Sequence, residues 1–248
     1  MPSFRNQTAD PQTTQTPASR ARAVREMFSA IAPRYDLLNR LLSLGVDRNW
    51  RRKAVDQLGW EDQPDGLYLD VCAGTYDLSI ELARRRMFKG HVIALDFARA
   101  MLEKGLAKIT RQPIAPVCGD ALKIPARDRT FDGALVAFGV RNLADLDAGL
   151  RELQRSLRPA ARLVVLDFSM PERQPLRALY RLYFTRILPR IGRLVSKHSH
   201  AYTYLPESVL GFPEPAALAA RMEMAGFREV GWRRLSGGIA ALWWGAAS

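Results

Sequence analysis

The sequence predicts an α/β protein: a Rossmann-like, largely parallel sheet with crossover helices, preceded by a helical cap and interrupted late in the chain by an inserted amphipathic lid. Three observations predict it. From residue 67 onward, short apolar runs alternate with segments of helical spacing, the pattern of strands joined by crossover helices. The stretch YLDVCAGTYDLSIELA, residues 68 to 83, reads as a buried strand, a glycine-containing turn and a helix. After the fifth strand comes an insertion without one acidic side chain from Arg173 through Pro206.

At 248 residues the chain is long enough for one large domain with a sizeable core, and no break in composition argues for a second. Hydrophobic residues make up 48% and charged ones 25%, ordinary for a globular protein, so the net charge of +12 is the unusual quantity. Such an excess points to nucleic acid or to an anionic membrane surface. The two cysteines, Cys72 and Cys118, have neither metal-ligand spacing nor a disulfide framework, and are expected to be small buried residues in a reducing cytoplasm. No run approaches the roughly 20 apolar residues of a membrane span, and the N-terminus lacks the layout of a secretory signal.

Residues 1 to 22, which include MPSFRNQTADPQTTQTPASR, offer almost nothing to bury and are expected to be a disordered tail, with one domain over 23 to 248. Val24, Met27, Phe28 and Ile31 recur at helical spacing, Pro33 interrupts, and Leu37, Leu38, Leu41 and Leu42 resume it, giving a helical cap over 23 to 60. The runs LYLDVC, HVIALD, PIAPVC, FDGALVAF and ARLVVLDFS are strands, and DLSIELARRRM, ARAMLEKGLAKI and LDAGLRELQRSL are the helices between them. Helix PAALAARMEMA, ended by Gly226, precedes strands FREVGWRRL and GGIAALWWG, joined across Ser236-Gly237-Gly238. The lid, residues 172 to 210, carries Leu176, Leu179, Tyr180, Tyr183, Phe184, Ile187 and Leu188 on one helical stripe, with Arg177, Arg181 and Arg186 on other faces. Two readings stand: a lid packed on the core with solvated arginines, and a membrane-contacting helix.

In open α/β sheets ligands bind beyond the carboxyl ends of the strands, so Gly74, Thr75, Asp77, Asp96, Asp120 and Arg141 are expected to converge there. Asp96 ends a strand 22 residues after Gly74, the distance at which an acid accepts hydrogen bonds from ribose hydroxyls. A pyrophosphate wants free backbone N–H groups and no neighbouring anion, whereas Asp70 and Asp77 flank this turn and Tyr76 stands where a second glycine would. S-adenosylmethionine has no phosphate, and its sulfonium and α-ammonium welcome carboxylates, so it is the expected cofactor. Each acid alone has a plainer reading: Asp77 as a first-turn acid, Asp96 as a helix N-cap, Asp120 as a turn cap. Together at strand ends they point to the ligand.

The segments FSAIAPRYDLLNRLLSLGVDRNWRRKAV, LDVCAGTYDLS, VIALDFARAML, GDALKIP, FDGALVAFGVRNLADLDAGLRELQRSLRP, LVVLDFSMP and ILPRIGRLVSKHSHAYTYLPES occur in that order. In them the chain resembles the ubiquinone/menaquinone biosynthesis C-methyltransferase family over nearly everything after residue 22. The resemblance implies a class I S-adenosylmethionine-dependent methyltransferase with a seven-stranded sheet ending in an antiparallel hairpin, acting on a polyprenylated naphthoquinol or benzoquinol. It implies cofactor contacts at Thr75, at Asp96 on the ribose and at Asp120 and Ala121 beside the adenine, with Tyr35 on the cap over the cofactor. Arg141 and Asn142 would face the substrate. The chain departs from the family at four positions: Tyr76 replaces a small residue and is expected to narrow the pocket, Ala160-Ala161 replace Gly-Gly in a turn, and Ala137 stands where some relatives have serine.

Such a reaction needs the reduced quinol, because loss of a phenolic proton is what makes the ring carbon nucleophilic. Arg141 is the expected partner of the phenolate, against a structural reading as an ion pair with Asp145 or Asp147. His198, His200, Tyr202 and Tyr204 are the bases the insertion offers. Demethylmenaquinol is the favoured substrate, since the DVCAGTYD turn looks closer to menaquinone-only relatives. The expected setting is cytoplasmic, at the inner face of the membrane where the prenyl quinol dissolves; a homodimer stays open. Two rivals are an RNA methyltransferase, prompted by the charge and opposed by the family-specific segments, and a cofactor-less scaffold, prompted by Tyr76.

Overall fold

The computed structural model describes residues 17–34, 43, 45–183, 186 and 200–248. Helix α1 spans Pro17–Ile31, so the fold begins inside the stretch expected to be a disordered tail. The composition of residues 1 to 20 hid this, because α1 has few apolar side chains and buries chiefly Val24. Helix α2 (Asp47–Leu58) follows and is ended by Gly59 at φ 74°, a left-handed C-cap.

Then come β1 (Leu67–Val71), α3 (Asp77–Ala83), β2 (His91–Asp96), α4 (Arg99–Ile109), β3 (Ile114–Cys118) and β4 (Phe131–Ala137). Helix α5 (Leu146–Ser156) leads into β5 (Leu157–Phe168), and the insertion contributes α6 (Leu176–Leu182) and α7 (His200–Leu210). Helix α8 (Pro215–Met224), β6 (Phe227–Leu235) and β7 (Ala240–Ala247) complete the order.

The seven strands form one sheet in the order β3-β2-β1-β4-β5-β7-β6. Strands β1 to β5 are parallel, and β7 runs antiparallel to both neighbours. Chain order reverses between β1 and β4, so the loops leaving these strands diverge and open a crevice at their carboxyl ends. Strands covered on both faces read as continuous apolar runs, and alternate residues serve opposite layers. Tyr68 packs with Trp50, Val55 and Leu58 of α2 on one face, while Leu69 and Val71 pack with Leu150, Leu153 and Trp243 on the other. Edge strand β3 carries Pro116, which a central strand would not tolerate.

One expectation about the insertion changes. Its stripe splits: Tyr180 is buried and Tyr183 half-buried, whereas Leu179 and Leu182 are exposed, 59% and 46%. Residues 176, 180 and 183 follow the i, i+4, i+7 spacing of one face, and 179 and 182 fall beside it. Phe184, Ile187 and Leu188 lie outside the described residues. Helix α7 was masked to sequence reasoning by Pro206, a helix breaker that here sits inside the helix.

Candidate active site

The turn after β1 is held by Asp96. Its Oδ2 accepts from the Gly74 N–H at 2.8 Å and its Oδ1 from the Ala98 N–H at 2.8 Å, so one carboxylate ties the end of β2 to the β1 turn. The alternative reading of Asp96 as a helix N-cap is not what the structure shows, since Ala98 occupies the N-cap position of α4; Asp96 ties the two loops instead, and each oxygen keeps a second lone pair. Burial pushes the Asp96 carboxyl up, against the N–H bonds that lower it. Asp96 lines a cavity of about 450 Å³ with Ala21, Phe97, Asp120, Ala121 and Asn142. Asp120 caps its own turn, accepting from the Leu122 N–H at 2.9 Å, and presents the buried Ala121 to the cavity. Ala21 belongs to α1, so the segment set aside as tail forms part of this wall.

A second cavity, of about 300 Å³, is lined by Arg51, Asp70, Gly74, Thr75 and Asp77, and Cys72 lines both cavities. Asp70 is buried and accepts from the Ser79 N–H at 3.0 Å and the Ser79 hydroxyl at 2.5 Å. Burial pushes its carboxyl up to about 7; the Ser79 bonds and Arg51 oppose that rise, and nearby Asp96 adds to it. Asp77 is not the uncompensated anion the turn suggested: Lys108 Nζ donates to its Oδ1 at 3.0 Å and to Thr75 Oγ1 at 3.1 Å, and Arg51 Nη2 stands 3.8 Å from Asp77 Oδ2. Both cations come from helices distant in sequence, α2 and α4, which is why the turn alone did not disclose them.

Tyr76 does not narrow the pocket. Its backbone is left-handed, φ 70°, which sends the ring away from the cavities into the core, where its hydroxyl donates to the Leu102 carbonyl at 2.7 Å. It lines neither cavity, and the observation that prompted the scaffold reading falls away.

The FGVRN segment follows β4. Arg141 Nη1 donates to the Phe138 carbonyl at 2.7 Å and to Asp167 Oδ1 at 2.5 Å, with the guanidinium 5.3 Å from the Phe168 ring centroid. The expected ion-pair partners were Asp145 and Asp147; Asp145 instead caps α5 by accepting from the Ala148 N–H at 2.9 Å, and Asp147 faces Arg221 at 3.4 Å. Asp167 is the penultimate residue of β5, and the parallel pairing of β4 with β5 brings the two strand ends together. Asn142 donates to the same Phe138 carbonyl at 3.3 Å, and its Oδ1 accepts from the Tyr204 hydroxyl of α7 at 2.9 Å. The structure thus joins Asn142 and Tyr204, while Tyr35 and His198, like the side chains of His200 and Tyr202, lie outside the described residues.

Between the two arginines lies an aromatic group that the sequence did not reveal, because its members sit on α2, after β4 and at the end of β5. Phe138 and Phe168 stand 4.8 Å apart, centroid to centroid, and Trp50 is 6.2 Å and 6.3 Å from them. Arg51 lies 5.4 Å from the Phe138 centroid. Burial pushes the Cys72 thiol well up, so it is no ready nucleophile; Cys118 is exposed, contrary to expectation.

A sheet of this order, with acids at the ends of β1 and β2 around a single-glycine turn, defines a class I methyltransferase, and S-adenosylmethionine is its cofactor. Residues 15–247 match the model of the ubiE/COQ5 methyltransferase family, and the chain belongs to that family. It is 48% identical over 228 residues to a demethylmenaquinone methyltransferase of Deinococcus radiodurans, covering 91% of this chain and 93% of that one. With a ubiquinone/menaquinone biosynthesis C-methyltransferase UbiE of Geobacter sulfurreducens it shares 43% over 226 residues, 90% of this chain and 87% of the relative. A solved methyltransferase structure from Thermotoga maritima superposes with a TM-score of 0.63 at 19% identity, covering 90% and 99% of the two chains, a likeness of fold.

Proposed function

We propose that the protein methylates a ring carbon of a prenylated demethylmenaquinol with S-adenosylmethionine, giving menaquinol. The observation that carries this reading is the adjacency of two chemistries: Asn142 lines the Asp96 cavity and is also bonded to Tyr204, next to Arg141 and the Phe138–Phe168 pair. A flat, apolar aromatic ring suits such a wall, which shares Asn142 with the cavity assigned to the cofactor.

In this reading Asp96 holds the ribose hydroxyls, Asp120 and Ala121 flank the adenine, and Gly74 and Thr75 let the backbone approach the ligand. Asp70 and Asp77 face the cationic groups. Arg141, whose Nε has no hydrogen-bond partner among the described residues, keeps a donor for the phenolate oxygen. The phenolate's charge would make the ring carbon nucleophilic, and bound S-adenosylmethionine would supply the methyl to it, with S-adenosylhomocysteine as the leaving product. The ring proton then passes to a base, for which Tyr204 and His198 are the candidates.

The exposed Leu179 and Leu182, beside the exposed Arg177 and Arg181, fit a lid that rests on an anionic membrane while the prenyl tail stays in the bilayer. Among the described residues no helix is long and apolar enough to cross one. Liposome flotation tests this surface: binding is expected to require anionic lipid and to weaken with salt.

The test of the reaction is radiolabelled methyl transfer to short-chain analogues with and without dithionite. Product is expected only from the reduced naphthoquinol; equal product from the oxidised quinone would refute the phenolate mechanism. Faster transfer to a benzoquinol would move the assignment to the ubiquinone side of the family.

A further inference from the structure

Both helices of the insertion set a tyrosine beside the FGVRN segment. Tyr204 of α7 does so through its bond to Asn142. Tyr180 of α6 is buried, hydroxyl oxygen included, and forms with Val209 of α7 a small cluster on which Phe168, Met170, Tyr183 and Ile239 pack. Phe168 is also the ring over which the Arg141 guanidinium lies, so lid and arginine meet on one side chain.

The charges of the buried Arg141–Asp167 pair reach the Tyr180 hydroxyl. Burial pushes that hydroxyl well above its ordinary value, the Arg141 charge opposes the rise, and Tyr183 and Asp167 add to it. A phenol so placed keeps its proton through the neutral range, which makes it a hydrogen-bond donor and no general base. Arg141 has its Nη1 committed to the Phe138 carbonyl and to Asp167, and its Nε without a hydrogen-bond partner among the described residues. A phenolate oxygen accepts more than one hydrogen bond, and a hydroxyl supplies the second without another buried charge. In the sequence the residue reads as packing alone, because it falls with Leu176 and Tyr183 on one apolar face of α6.

We propose that Tyr180 is a further catalytic residue, whose hydroxyl donates to the quinol's phenolate oxygen beside Arg141 Nε. The phenolate site is then complete only with the lid seated, since one of its two donors rides on α6. This rests on the phenolate reading above and gives the insertion a part in the chemistry besides covering the substrate. The plain alternative is a tyrosine that only packs. Tyr180→Phe separates the two, because it keeps the ring and removes one oxygen.

The test is kcat against pH for methyl transfer to a short-chain naphthoquinol held reduced with dithionite, in wild type and Tyr180→Phe. Loss of one hydrogen bond to a charged oxygen is expected to lower kcat at least about tenfold near neutral pH and to move the rising limb of the profile about one unit higher, because the bound phenol ionises less readily. The deficit is expected to close above that limb, where the phenolate forms without the donor. Thermal midpoint and S-adenosylhomocysteine affinity are expected to match wild type, since the ring stays and Tyr180 lines neither cofactor cavity. Tyr180→Leu, which loses ring and hydroxyl together, is expected to show the same shifted limb with a lower thermal midpoint. A wild-type profile in Tyr180→Phe overturns the proposal. So does a loss by the same factor at every pH, the mark of a lid that packs less well. If the wild-type protein transfers no methyl to the reduced quinol, the phenolate reading fails and takes the proposal with it, an outcome seen without any variant.

Discussion

The ring of Tyr76 occupies the space a side chain at position 105 would need: a Cβ on Gly105 would stand 2.6 Å from its Cδ2 and Cε2 and 2.9 Å from the Thr75 Cα. A bulky residue in the turn and a glycine in α4 are therefore one packing unit. Gly105→Ala ordinarily favours a helix, but here the backbone at Thr75 cannot give way. The expected result is a net loss of about 2 kcal/mol, read as a lowered thermal midpoint. Tyr76→Phe removes the bond to the Leu102 carbonyl at a cost of about 1 kcal/mol and is expected to leave S-adenosylhomocysteine affinity unchanged. A change in that affinity would return Tyr76 to the pocket wall.

Asp70 makes both stability and binding depend on pH. Its carboxyl sits at about 7 in the folded protein against an ordinary value of 3.8. Between those values the folded protein holds a proton that the unfolded chain has released. This contribution to stability is thus fullest below the ordinary value and is lost as pH rises toward 7. Asp70→Asn is expected to flatten that slope in denaturation curves taken from pH 5 to 8. Binding runs the opposite way: an ammonium opposite Asp70 favours the ionised form, so S-adenosylhomocysteine affinity is expected to rise with pH through about 7, with proton release below it. Titrations in buffers of different ionisation enthalpy measure that release.

Asp96 serves two structures at once, the β1 turn through Gly74 and the ligand through its remaining lone pairs. Losing two ribose hydrogen bonds to a charged acceptor costs roughly 3 kcal/mol, about a hundredfold in affinity. Asp96→Ala is expected to show that loss together with a lower thermal midpoint, since the Gly74 and Ala98 N–H groups lose their acceptor. Unchanged affinity in calorimetry would end the ribose assignment.

Ala160 is held at φ 65° where β5 begins, a left-handed conformation that strains any residue with a Cβ. It is exposed, so nothing is lost in packing by removing its methyl. Ala160→Gly is expected to raise stability by about 1 kcal/mol in urea denaturation, with activity unchanged. The altered Gly-Gly turn noted in the sequence is thus a local backbone cost and no change of site.

What the sequence disclosed was whatever periodicity and spacing encode. The strand and helix alternation gave the parallel core, and Asp96, 22 residues beyond Gly74, was legible as a strand-end acceptor. Direction and long-range pairing were not legible. The ring of Tyr76 points inward because of a φ sign that no residue type fixes, and Arg141 meets Asp167 because β4 and β5 end side by side. Arg51 and Ala21 reach the site from helices far from the β1 turn in sequence, one of them set aside as tail, so their pattern carried no sign of a ligand.

The pairing of Arg141 with Asp167 decides how the catalytic assignment is tested. Arg141→Ala strands a buried carboxylate, which costs about 3–5 kcal/mol, so lost turnover in that variant alone would not separate chemistry from folding. Replacing both members by apolar residues, Arg141→Met with Asp167→Leu, removes the two charges together and is expected to recover most of the stability. Thermal melts should therefore rank wild type and the double variant together, above Arg141→Ala. Turnover should rank differently: both variants are expected to lose at least about a hundredfold in kcat with reduced quinol, because neither has a guanidinium to hold the phenolate. Arg141→Lys keeps the charge without the planar fork and is expected to fall between. S-adenosylhomocysteine binding should survive in the double variant, since Arg141 lines neither cofactor cavity. Wild-type kcat in a stable double variant would make the pair purely structural and would pass the phenolate to the Asn142–Tyr204 contact, 2.9 Å long and the next place to substitute.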